Sequence, residues 1–278
     1  MVIIYALLSA AAYGTADFMG GFSSRKNAVT TTAIWTQLTG LIMAAIAALI
    51  LGSTNVGLVD ILWGIASGFS GVTGLLILYK GLSCGKVSIV SPSAALAGAI
   101  IPVIFGLLIG ERPPILTWIG IAFSIPAIIF LSWEKGEKED HTIKSLQYGL
   151  LAGTFFGGFF ILLSQTSETS GMWPLAAAKF GSLLLSFSIL LFRKNKICLE
   201  KGTRKLTILS GIIDMAANIF YLLASRTGYL IIAVVLSALY PAPTVILQRL
   251  FIHEKLTFIR IVGIILSITG AALIGIGG

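Results

Sequence analysis

The sequence predicts an all-α integral membrane protein of ten transmembrane helices, arranged as two inverted-topology repeats of five. Three observations carry that expectation. Apolar residues make up 56% of the chain and charged residues only 11%, with a mean hydropathy of +0.98. A soluble domain carries roughly twice that charged fraction. A helix needs roughly 20 apolar residues to cross the hydrocarbon core, and ten such stretches follow one another: about 2–22, 30–51, 58–79, 87–110, 115–133, 145–165, 172–192, 206–225, 229–252 and 257–276. Finally, the chain repeats itself at a constant offset of 143 residues.

The repeat is legible residue by residue. Gly85, Ile89, Ala95, Leu96 and Ala99 recur as Gly228, Ile232, Ala238, Leu239 and Ala242. Leu107, Ile109, Glu111, Gly120, Ile121, Ser124 and Ile125 recur as Leu250, Ile252, Glu254, Gly263, Ile264, Ser267 and Ile268, which makes twelve identities in 41 gapless positions. Each copy holds five spans, and a duplicated odd number of spans must enter the membrane with opposite orientation in its two copies. The copies are expected at 1–135 and 144–278, joined by the charged linker Glu134 to Lys144. Architectures of this kind place a solute site between their halves.

Taken in order, the first span carries Ser9, Tyr13 and Asp17 on one helical face, with Gly14 beside Tyr13 allowing close approach of another backbone or a ligand. It lacks a basic leader and an obvious cleavage site, and so reads as a span rather than a signal peptide. The second span holds Trp35, Thr36 and Gln37, which serve either a binding site or interhelical packing. Gly64, Gly68 and Gly71 line one face of the third span, and Gly149, Gly153 and Gly157 one face of the sixth, as expected of tight helix contacts. Phe155, Phe156, Phe159 and Phe160 form either one wall of a binding cavity or, more ordinarily, an aromatic face in lipid.

Prolines interrupt the fourth span at Pro92 and Pro102 and the ninth at Pro241 and Pro243. Each removes a helix hydrogen bond. Interruptions in corresponding spans of two halves point to a site at the membrane midplane. Ser91, Ser93, Ser237 and Tyr240 are therefore placed near the pathway.

An ionisable side chain at the centre of a span costs about 2.5–3.5 kcal/mol, so each one calls for an explanation. Lys179 lies a third of the way into the seventh span and Asp214 near the middle of the eighth. At four- and seven-residue steps Asp214 is joined by Ser210, Asn218, Tyr221 and Ser225, a polar stripe that cannot face lipid cheaply. Two readings stay open: a structural Lys179–Asp214 ion pair, or a pair lining a cavity, with Asp214 binding a proton or a substrate amine and Lys179 a carboxylate. Asp17 is the second candidate proton carrier. Arg249 sits near a span end, where snorkelling suffices.

A charge of +8 does not imply nucleic acid here, because excess Lys and Arg in a membrane protein marks cytoplasmic loops. Fifteen of the basic residues fall in the odd-numbered connections, and only Arg112 and Arg226 in the even ones. That bias places the odd connections in the cytoplasm and both termini outside. Cys84 and Cys198 are too few for a metal or disulfide framework. Glu111 and Glu254 stand beside Arg112 and Lys255 at span ends, where salt-bridged turns are expected. No nucleophile motif, metal cluster or phosphate loop is present, so neither an enzyme nor a cofactor is expected.

Several segments carry a family resemblance: Gly110-Glu111-Arg112-Pro113 followed by Trp118-Ile119-Gly120, and His253-Glu254-Lys255-Leu256-Thr257 followed by Ile261-Val262-Gly263. Leu239-Tyr240-Pro241 and Tyr13-Gly14 add to them. Through these the chain resembles the drug/metabolite transporter superfamily, in its ten-helix EamA-like branch. The resemblance implies export of amino acids, other metabolites or toxic compounds across the plasma (bacterial inner) membrane. It also implies both termini inside, against the charge count, and residues 52–57 lack the basic loop common in relatives. The expected function is a secondary active transporter working by alternating access, with protons as a candidate coupling ion. A passive facilitator or exchanger of the same fold, or a lipid scramblase, is the alternative. The expected partners are a small-molecule substrate and the lipid bilayer; the oligomeric state stays open.

Overall fold

A computed structural model describes residues 1–84, 87–132, 142–193, 197–253 and 256–277. Most of the expected linker, together with Glu254 and Lys255, lies outside these residues. Among the described residues the chain is helical and contains no strand. In hydrocarbon every backbone N–H and C=O must be satisfied within the segment, which an apolar stretch can do only as a helix. The helices are α1 (Val2–Ser24), α2 (Val29–Leu51), α3 (Leu58–Cys84), α4 (Val87–Leu108), α5 (Ile115–Ser132), α6 (Thr142–Ser164), α7 (Trp173–Arg193) and α8 (Arg204–Thr227). The ninth span is broken into α9 (Leu230–Ser237), α10 (Pro241–Leu247) and a π-helical turn (Gln248–Ile252), and α11 (Phe258–Gly277) ends the chain. All ten expected spans are long and apolar enough to cross a membrane.

The two proline-bearing spans behave differently. α4 remains continuous through Pro92 and Pro102. The ninth span stops at Ser237 and restarts with Pro241 as the first residue of α10, where its missing N–H costs nothing. These are also the two most buried spans, with 72% of the ninth and 56% of the fourth enclosed.

Helix packing follows a pseudo-two-fold relation between the repeats. α1 packs on α8 as α6 packs on α3, α2 on α8 as α7 on α3, and α1 on the ninth span as α6 on α4. The pairs α2·α7 and α5·α11 map onto themselves. Small residues form the contacts: Ala6, Ala44, Ala152, Ala217 and Ala233 are buried, while Leu49, Leu108, Phe192 and Phe258 point outward. Between membrane helices close van der Waals approach replaces the hydrophobic effect, so small side chains belong at the contacts. The glycine stripes act this way. Gly64 and Gly68 lie against the carbonyls of Pro174 and Ala178 on α7, and Gly149 and Gly153 against those of Val90 and Ala94 on α4.

A side chain at Gly68 would collide with the Ala178 carbonyl, whereas Gly202 has open space around it. Gly68→Val is expected to destabilise the protein by about 1–3 kcal/mol and Gly202→Ala to be neutral, read as detergent-solubilised melting temperatures.

Candidate functional site

The break in the ninth span places Ala238 and Tyr240 on the wall of a central cavity of about 400 Å³. Helices from both repeats line it. Its floor is aromatic: Tyr13 from α1, Phe156, Phe159 and Phe160 from α6, and Tyr240 from the break. Tyr13 stands edge-on to Phe160 at 6.3 Å and to Tyr240 at 6.5 Å, while Phe159 meets Phe160 at 5.3 Å. Three of the four α6 phenylalanines thus face the cavity, and the lipid-facing account does not hold for them. Gly14 makes the arrangement possible, because the Tyr240 carbonyl and Pro243 lie where its Cβ would be. Thr244 then donates a hydrogen bond to the Gly14 carbonyl at 3.0 Å.

The charged wall comes from α7, α8 and α1. Lys179 and Asp214 form an ion pair, and both residues line the cavity. The Lys179 stem lies on Gly40 of α2. Asn218 donates to the Asp214 backbone carbonyl at 2.6 Å. Elsewhere on the polar stripe, Ser210, also on the cavity wall, donates to the Ala16 carbonyl at 2.9 Å, and Tyr221 to that of Phe160 at 2.8 Å. Asp17 also lines the cavity and is exposed within it, and among the described residues it takes part in no ion pair. Tyr13 Oη, Thr32 Oγ1 and Gln37 Oε1, all on residues of the cavity wall, are buried without a hydrogen-bond partner.

Seven of the twelve expected site residues therefore meet in one cavity: Tyr13, Asp17, Gln37, Lys179, Asp214, Asn218 and Tyr240. The other five stand outside its wall. Trp35 turns away, its indole N–H donating to the Ile197 carbonyl at 2.8 Å. Tyr221 is fully buried behind Phe160, and Ser93 is bonded to the Ile89 carbonyl of its own helix at 2.6 Å. Ser91 is absent from the wall, and Ser237 is buried in α9 with its hydroxyl unpartnered.

The cavity wall continues to Gly20, Gly21 and Ser24 at the end of α1 and to Val29 at the start of α2. It therefore reaches the face that carries the odd-numbered connections. The opposite face is closed by hydrogen bonds that the sequence reading missed. Asp60 of α3 accepts from Ser167 N at 2.7 Å and Ser167 Oγ at 2.9 Å. Thr54 N and Asn55 N donate to the Thr169 carbonyl at 3.1 and 3.2 Å. Arg226 holds that same connection by donating to the carbonyls of Ser167 at 2.7 Å and Gly171 at 2.8 Å.

Glu111 completes the closure and corrects an expectation. It does not pair with Arg112. Its carboxylate accepts from Leu230 N at 2.6 Å and Ile231 N at 2.9 Å, capping the N-terminus of α9. A carboxylate there satisfies orphan amides and the helix dipole together. The expected counterpart, Glu254, lies outside the described residues. Arg226 and Asp60 left a faint signal: Arg226 is one of two basic residues on its side, and Asp60 opens a span after an uncharged connection.

A bundle of ten apolar spans, internally repeated about a cavity that holds charged side chains, defines a multi-pass membrane protein with the architecture of a solute transporter. The EamA-like transporter family matches residues 1–133 and again 143–276. The chain belongs to that family, within the drug/metabolite transporter superfamily, whose members move small molecules across membranes. An uncharacterised protein of Methanocaldococcus jannaschii is 30% identical over 128 residues, which is 46% of this chain and 93% of that protein, about the length of one repeat. A solved crystal structure superposes with a TM-score of 0.76 over 99% of this chain and 97% of the other at 15% identity, a likeness of fold alone.

Removing one member of the cavity ion pair leaves the other charge uncompensated. Lys179→Met is expected to cost about 3 kcal/mol, read as a lowered melting temperature. Lys179→Met combined with Asp214→Leu should recover most of that loss.

Proposed function

We propose that this protein is a secondary transporter that exports small organic solutes across the plasma membrane by alternating access. The observation that carries the reading is a cavity between the repeats, lined by aromatic and a few charged side chains, that reaches one face and is closed at the other by Glu111, Asp60 and Arg226. A one-sided cavity is one of the two states an alternating-access cycle requires. The basic residues of the odd-numbered connections, Arg25, Lys26 and Lys144 among them, lie on the cavity's open face, which supports a state that loads from the cytoplasm.

Coupling to protons runs through Asp17 in this proposal. Asp214 is held by Lys179 and the neighbouring Asn218, while Asp17 carries a cavity-facing carboxylate with no ionic partner among the described residues. A carboxylate that gains and loses a proton as the cavity changes sides links solute movement to the pH gradient.

Internal pH in liposomes containing the purified protein tests this directly. Added substrate is expected to change internal pH, and Asp17→Asn is expected to reduce that response at least tenfold while the protein remains folded. Labelled solute that crosses with no pH change would make the protein a facilitator and remove the coupling role. The closed face gives a second test. In a chain with Cys84→Ser and Cys198→Ser, Ser170→Cys is expected to resist a membrane-impermeant maleimide, because Ser170 is fully buried. Arg226→Ala should raise its labelling rate at least tenfold.

A further inference from the structure

Resting on the reading of the central cavity as the transport site, we propose that its solute is a compact organic cation with a flat apolar body, its ammonium group held by the Asp17 carboxylate. Three charged side chains line the cavity among the described residues: Asp17, Asp214 and Lys179. Lys179 and Asp214 neutralise each other, and Lys179 is nearly enclosed, with its side chain 9% exposed. Asp17 is left over. The cavity thus holds one carboxyl group without an ionic partner among the described residues, and no unpaired Lys or Arg lines it.

That balance sorts solutes by charge. A carboxylate solute would meet Asp17 and could gain a partner only by breaking the Lys179–Asp214 pair, which exposes a buried charge. An ammonium group meets the Asp17 carboxylate directly. Gln37 Oε1, buried and unpartnered, adds an acceptor. It can satisfy a second N–H, since an ammonium has donors only. A zwitterion places a carboxylate beside that ammonium and is disfavoured for the same reason as an acid.

The aromatic floor selects the rest of the molecule. Tyr13 stands edge-to-face with Phe160 at 6.3 Å and with Tyr240 at 6.5 Å. Ring faces attract a cation and stack on a flat apolar body. A cavity of about 400 Å³ admits a molecule of modest size. Arg25 stands outside that cavity. It lines a smaller pocket of about 110 Å³ between α1 and the π-helical turn, alongside Asp17 and Gln248.

Equilibrium binding to the full-length protein in detergent at pH 7 tests the inference with three probes of one shape: tryptamine, indole-3-propionate and tryptophan. Tryptamine is expected to bind at least tenfold more tightly than the other two. Asp17→Asn should weaken tryptamine at least tenfold, and Asp17→Glu should retain most of the affinity, with both variants eluting as the wild type on size exclusion. Equal or tighter binding of indole-3-propionate or tryptophan, unchanged tryptamine binding by Asp17→Asn, or no binding of tryptamine overturns the inference. Liposome flux separates this from the transport reading. Tryptamine bound through Asp17 but never moved contradicts transport and leaves the site standing. Acidic solutes moved independently of Asp17 leave transport standing and remove the site.

Discussion

The constraint on which the whole structure depends is that hydrocarbon solvates neither charge nor an unbonded polar group. Polar side chains within the spans therefore turn inward, toward other helices or the cavity. The Lys179–Asp214 pair is the clearest consequence. It joins α7 to α8 and lies on Gly40 of α2, so three helices are fixed around it. Ser210 and Ser9 then tie α8 to α1 through the carbonyls of Ala16 and Ala217. The cavity lies where these inward-facing groups converge, and its position follows from the avoidance of lipid.

The same constraint decides the ends. Two faces of one bundle are treated differently: one is stitched by backbone amides and carboxylates, the other is lined by Gly20, Gly21 and Ser24. Hydrogen bonds of this kind are each modest in net strength where water can compete. A set of them can hold a face shut and still open when the balance inside the cavity changes. An ionisable group such as Asp17, facing the cavity with no ionic partner among the described residues, is a lever of that type.

Much of this was legible in the sequence because it depends on period and charge. The ten spans, the repeat, the glycine stripes and the adjacency of Lys179 and Asp214 all follow from spacing along a helix. Other features depend on rotation and on contacts between distant segments, which spacing does not encode. Trp35 and Gln37 are two residues apart on α2, and the helical turn sends one to the Ile197 carbonyl and the other to the cavity. Tyr221 shares a face with Asp214 but lies farther along α8, where α6 covers it. Glu111 sits next to an arginine in sequence, yet the α9 amides from the other repeat outcompete it. Pro92 and Pro241 look alike as letters, and only the second starts a new helix.

The central claim is that the cavity changes sides, and the distance between spin labels on the two faces tests it most directly. In a cysteine-free chain, one labelled pair would span the closed face at Val56 and Tyr229, both exposed. A second would span the open face at Lys26 and Lys144, also exposed. Adding a transported solute is expected to lengthen the first distance in part of the population and shorten the second in the same part. Distances that stay fixed at both faces while solute continues to cross would contradict alternating access and leave a static pore.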